Sequence, residues 1–68
     1  MGDYTYLKLA YDEMVHGTDN ATLLSFDGDE FWIPNSLIGD IDDTKGEVWV
    51  ADWFVDKEGL EAYIDEEG

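Results

Sequence analysis

Asp27-Gly28 sits between two apolar runs, "ATLLSF" at 21–26 and "EFWI" at 30–33. Asp and Gly are among the residues that accept the positive φ a type I′ turn imposes at its two central positions, so this stretch reads as a tight antiparallel hairpin. No other feature constrains the fold as much, because it makes the centre of the chain β. Side chains alternate along a strand. Leu24 and Phe26 therefore share one face of the first strand, Phe31 and Ile33 share one face of the second, and Trp32 lies opposite. Pro34 has no N–H for a ladder, so the strand should end there, with "PNSLI" forming a short helical or 3-10 turn led by the proline.

Upstream, "YTYLKLAYDEMV" at 4–15 admits two readings. Leu7, Tyr11, Met14 and Val15 fall at helical spacing, with Asp3 to cap and Gly17 to stop. The tyrosines, Thr5 and Val15 prefer strands, and "HGTDNA" at 16–21 then makes a turn into "ATLLSF"; the strand reading is favoured. Downstream, "GDIDDTKG" at 39–46 reads as a polar loop bounded by glycines. "EVWVA" at 47–51 is a further strand, with Val48 and Val50 on one face and Trp49 on the other. Asp52 is placed to cap a helix over "WFVDKE", and Gly59 stands where a left-handed helix stop belongs, bringing Leu60 against Val55. "LEAYIDEEG" adds a further helical turn.

The expected fold is one domain over residues 1–68, mainly β with a short helix from about Trp53. It would be a small antiparallel sheet, or a partly open barrel, of four or so strands with a 3-10 turn after Pro34. "FWIPNSLI" resembles the passage from strand to 3-10 turn near the end of SH3-type barrels, although here a further strand follows it. That likeness implies an architecture and carries no ligand with it.

A domain of 68 residues buries only about 60% of the surface its unfolded chain exposes. There is no cysteine, so the core rests on apolar side chains unless a partner, such as a second copy in a homodimer, adds to it. Ten aromatic residues supply that core, and Trp32, Trp49 and Trp53 are expected to pack in it, with one of them alternatively exposed as an anchor for a partner. No stretch approaches the roughly 18 to 20 apolar residues of a membrane span, and the first residues lack the order of a signal peptide; a cytoplasmic protein is expected.

Charge decides which functions are excluded. Eighteen acids oppose three lysines, for a net charge of −15, whereas a magnitude of roughly 2 to 8 keeps a small domain in solution. Such an excess costs stability by self-repulsion and rules against direct contact with nucleic acid or an anionic membrane. A basic partner is the natural complement. The imbalance is also uneven: residues 1–26 carry four acids against Lys8, and residues 27–68 carry fourteen against Lys45 and Lys57.

Specific chemistry is weakly signalled. Counted from Asp40, the sixth and twelfth positions of a calcium-binding EF-hand loop hold Lys45 and Ala51 instead of Gly and Glu, so no metal is assigned. His16 is the sole histidine and reads as a surface residue at a strand end, and Ser25 and Ser36 have no neighbouring base. No catalytic residue and no cofactor is expected. Glycines 28, 39, 46 and 59 mark turns or caps and form no phosphate loop.

What remains is the acids. Carboxylates spread over one face of a rigid domain can imitate the phosphate row of a duplex and engage a nucleic-acid-binding protein through its waiting lysines and arginines. Candidate partner-binding residues are Asp27, Asp29 and Glu30 at the hairpin, Asp40, Asp42, Asp43 and Glu47 around the loop, and Asp52, Asp56 and Glu58 near the helix. Trp32 and Trp49 are candidate anchors. Trp32, Ile33, Pro34 and Ser36, followed by Trp53, Lys57, Gly59 and Leu60, resemble a pattern in short phage and prophage proteins, over residues 18–60. The resemblance implies a phage setting and a small β fold. In small size and acidity the chain also looks like phage inhibitors of host defence, such as anti-CRISPR and anti-restriction proteins. The function expected is non-enzymatic blocking of a basic, nucleic-acid-binding host protein. The alternative is an accessory module of phage replication or assembly that binds through an exposed Trp patch.

Overall fold

The hairpin forms as its turn residues dictate. Asp27 (φ 52°) and Gly28 (φ 93°) both lie in the left-handed region, and Phe26 pairs with Asp29 to close the turn. The computed structural model describes residues 5–65. Within them the order is β1 (Tyr6–Ala10), β2 (Glu13–Gly17), β3 (Ala21–Phe26), β4 (Asp29–Pro34), a 3-10 turn (Asn35–Leu37), β5 (Ile38–Asp42), β6 (Glu47–Ala51), α1 (Asp52–Glu58) and a second 3-10 turn (Leu60–Tyr63). The mainly β expectation holds, and the described strands number six rather than four or so.

They form two antiparallel three-stranded sheets, ordered β1-β6-β5 and β2-β3-β4. Each central strand turns its alternate side chains inward: Thr22, Leu24 and Phe26 from β3, Val48 and Val50 from β6. With Leu9, Ile33, Phe54, Val55 and Leu60 these residues make one core shared by both sheets and the helix. A single core drawn from every layer is what a chain this short needs, since neither sheet could cover its own apolar face.

The stretch read as one strand at 4–15 is two strands, one in each sheet; Tyr4 lies outside the described residues. The switch falls at Tyr11 and Asp12. The Tyr11 N–H donates to the Gly46 carbonyl (2.9 Å) at the end of the first sheet, and the next N–H, of Asp12, donates to the Ser25 carbonyl (2.7 Å) in the second. No helix forms there, and β2 runs on through His16 and Gly17, so the turn expected at 16–21 is confined to Thr18–Asn20. The Thr18 hydroxyl braces it, accepting from the N–H groups of Asn20 and Ala21.

Three other expectations are corrected. "GDIDDTKG" is not a loop throughout: Ile38 and Ile41 pair with Val50 and Val48, so β5 takes its first half and the turn only its second. Composition hides the strand, because Asp40 and Asp42 occupy outward positions on either side of Ile41. Pro34 ends β4 and precedes the 3-10 turn instead of opening it. Asp52 is the first residue of α1 rather than its cap, a place taken by Ala51, which has no side-chain oxygen to cap with; the Asp52 N–H is met by the Thr5 carbonyl at 2.8 Å. Gly59 (φ 72°) does stop α1, its N–H reaching the Val55 and Asp56 carbonyls, and Leu60 and Val55 both enter the core.

None of the three tryptophans lies in the buried core. Trp32 and Trp53 are 49% and 46% exposed and Trp49 is half-buried, so Phe26, Phe54 and Tyr11 supply the buried aromatic area instead. The strand pattern already contains the reason, since Trp32 and Trp49 hold the outward positions between pairs of inward residues.

Candidate functional site

Six carboxylates are linked around one region of the surface by strand pairing, a shared ammonium, a shared groove and a tyrosine. Asp42 and Glu47 are opposed in the β5–β6 register. Glu47 and Asp65 approach the same ammonium, Lys8 Nζ, at 3.6 and 3.8 Å. Asp65, Asp12 and Asp27 line one open groove of about 510 Å³ with Ala10, Ala62, Tyr63 and Ile64. Asp29 completes the series by accepting a long 3.5 Å hydrogen bond from the Tyr63 hydroxyl. Lys8 makes both ion pairs formed between described residues.

The fold explains how such distant acids meet. The sheet switch delivers Asp12 to the end of the β3–β4 hairpin, where its Oδ2 accepts from the Asp27 N–H at 2.8 Å and steadies the left-handed turn. The carboxy-terminal segment is held across β1 by the Leu9–Ile64 bridge and by the Asp65 N–H donating to the Lys8 carbonyl at 2.9 Å. Tyr63 is fixed above the hairpin by stacking on Phe26, ring centroids 5.1 Å apart and planes 27° from parallel.

Two phenols report the field. Partial burial raises the Tyr63 pKa above its ordinary 10.0, and the charges of Asp29, Asp27 and Asp12 raise it further, because each disfavours a tyrosinate. Burial likewise raises the Tyr11 pKa, and Asp43 and Asp42 add to it. Asp43 follows Asp42 in sequence and is exposed in the β5–β6 turn. The Tyr11 hydroxyl is buried with no hydrogen-bond partner among the described residues, which keeps it sensitive to those charges.

Of the candidates named from sequence, the structure brings together Asp27, Asp29, Asp42 and Glu47, with Asp43 next to Asp42 in the turn. The rest lie elsewhere. Glu30 stands opposite Ser25 on the outer face of the β2-β3-β4 sheet, and Glu13 flanks Ser25 from the other side. Asp40 is opposed to Trp49 on the outer face of the other sheet. Asp52, Asp56 and Glu58 are carried by α1. Trp32 lies across Leu23 from His16, and the Trp32 and His16 rings meet edge to face at 6.1 Å. Sequence reasoning missed Asp12 and Asp65, both of which line the groove. Asp12 falls in the less acidic part of the chain and Asp65 in the terminal stretch read as a further helical turn, and neither has a local pattern that announces a tertiary role.

The acids divide by what else they do. Asp12 holds the hairpin amide, and Asp42 Oδ1 accepts from the Thr44 and Lys45 N–H groups and shapes the β5–β6 turn. Among the described residues no such backbone bond is made by the side chains of Asp29 and Asp43, both exposed. Lys8 already engages Glu47 and Asp65, and the remaining carboxylates present acceptors that can take lysine or arginine side chains of a partner. The chain matches no protein-family model, no curated protein and no solved structure. Among the described residues no helix is long and apolar enough to cross a membrane.

Proposed function

We propose that this chain is a non-enzymatic inhibitor that occupies the nucleic-acid-binding surface of a basic protein. The observation that carries this reading is the continuity of Asp42, Glu47, Asp65, Asp12, Asp27 and Asp29, a band held by backbone pairing and a stacked tyrosine. Charges fixed on a rigid frame lose little conformational freedom on binding, and so complement a surface arranged for phosphates better than the same charges on a loose tail would. The phage-like pattern around Trp32–Ser36 gives the setting, in which the partner is a nucleic-acid-binding component of host defence such as a CRISPR or restriction complex.

The test uses two exposed acids, Asp29 and Asp43, whose side chains accept no backbone hydrogen bond among the described residues. Immobilised protein is exposed to bacterial lysate at low and high salt, in parallel with an Asp29→Lys/Asp43→Lys variant. The unaltered chain should retain a basic nucleic-acid-binding protein at low salt and release it as salt rises, and the variant should retain little while keeping its circular dichroism spectrum. Capture that ignores both salt and the reversals overturns the reading. It would favour the second one, docking through Trp32, which is 49% exposed beside His16 and Leu23; Trp32→Ala would then abolish binding.

A further inference from the structure

We infer that the cleft between Tyr6 and Trp49, on the outer face of the β1-β6-β5 sheet, receives an arginine side chain of the partner, with Asp40 as acceptor for its guanidinium. The inference rests on the reading that the partner is basic, and it assigns one residue type to one place. Pairing sets Tyr6 opposite Ala51 and Asp40 opposite Trp49, with a bulge between Ile38 and Asp40 that leaves Gly39 out of register. A Cβ built on Gly39 would come within 3.0–3.1 Å of three atoms of the Tyr6 ring, a tight contact that the ring could accept only by shifting a few tenths of an ångström. Gly39 is not among the residues with positive φ, so what a larger residue would change here is the space beside the Tyr6 ring and not the backbone conformation. The Tyr6 ring therefore packs on bare main chain and forms one wall of the cleft.

The opening is about 270 Å³ and is lined by Tyr6, Gly39, Asp40 and Trp49. That is below the roughly 300–1,000 Å³ usual for small-molecule sites and suits a single side chain. Two aromatic walls with a carboxylate at the rim match a guanidinium, which is planar, weakly hydrated, stacks on rings and pairs with carboxylates; a lysine ammonium is compact and strongly hydrated. Asp40 is held for the task, since its Oδ1 accepts from the Ile41 N–H at 2.9 Å, and Oδ2 is the oxygen assigned to the ligand. The chain's own cation on this face, Lys8, stands on the other side of Trp49 and is drawn to Glu47 and Asp65. The overall charge of −15 supplies the complementarity that commits the cleft to a cation.

The test is a nuclear magnetic resonance titration of the full chain with N-acetylarginine amide. N-acetyllysine amide and uncharged N-acetylcitrulline amide, which keeps the shape of arginine, run in parallel. Arginine should shift the Trp49 indole N–H and the Gly39 amide along one saturating curve, lysine should bind more weakly, and citrulline should leave both signals in place. Asp40→Asn should weaken arginine binding roughly fivefold, the scale of one partly solvated charge-assisted hydrogen bond. Gly39→Ala, whose methyl displaces the Tyr6 ring, should weaken it as well. Shifts spread over Asp12, Asp27 and Asp43 without saturation at Trp49, equal binding of lysine and arginine, or indifference to Asp40→Asn would each overturn the inference. These outcomes leave the acidic band standing if salt-sensitive capture persists in Asp40→Asn. Loss of the band reading, with saturation at Trp49 intact, would leave the cleft standing.

Discussion

At the scale of single residues, acids of the same type do different work. Asp12 accepts a backbone hydrogen bond from the hairpin turn, whereas Asp43 accepts none among the described residues. Asp12→Ala should therefore lower stability by about 1 kcal/mol in chemical denaturation, the net value of one exposed hydrogen bond. Asp43→Ala should leave stability unchanged or raise it by relieving repulsion. The two raised phenols give a second residue-level prediction. Their folded pKa values exceed the unfolded 10.0, so the stability they contribute is complete below about pH 10 and is lost as the pH rises through the raised values. Absorbance titration of tyrosinate should show Tyr63 and Tyr11 ionising late. Asp29→Asn should bring Tyr63 back toward 10 without moving Tyr11, and added salt should do the same for Tyr63 in part.

At the scale of elements, much of the fold was legible where local chemistry and tertiary context agree. The Asp27-Gly28 turn, the inward Leu24, Phe26, Ile33, Val48 and Val50, the 3-10 turn after Pro34 and the Gly59 stop all follow from backbone preference or alternation. β5 was hidden because Asp40 and Asp42 have low strand propensity, and only pairing with β6 determines their conformation. The sheet switch at Tyr11–Asp12 was illegible for the same reason, since it depends on Gly46 and Ser25, remote in sequence. Hence the band is legible only in part: Asp27, Asp29, Asp42 and Glu47 are candidates from sequence, and Asp12 and Asp65 are not. Two substitutions test the element-level reasoning. Gly59→Ala, which meets nothing within 4 Å, should still cost about 1 kcal/mol because of its φ of 72°. Phe26→Ala should cost about 3–5 kcal/mol, enough to unfold a domain this small, because Phe26 is fully buried and carries both Phe31 and Tyr63.

At the scale of the whole molecule, one shared core holds two small sheets and a short helix against a net charge of −15. Repulsion among those charges opposes folding, so the melting temperature should rise as sodium chloride is raised from low to moderate concentration. A chain stabilised chiefly by its surface ion pairs would melt earlier instead. Salt then has opposite effects on folding and on binding, which separates a variant that loses its partner from one that merely unfolds. The surface has two parts with distinct chemistry: a band of carboxylates around the Tyr63 groove, and an aromatic cleft with Asp40 at its rim. The most direct measurement of the central claim is competition between this chain and duplex DNA for the captured basic protein, followed by fluorescence anisotropy of labelled DNA. Mutual exclusion, with an inhibition constant that weakens steeply with salt and is lost in Asp29→Lys/Asp43→Lys, is the expected result; a ternary complex in which the partner holds both DNA and this chain would contradict it.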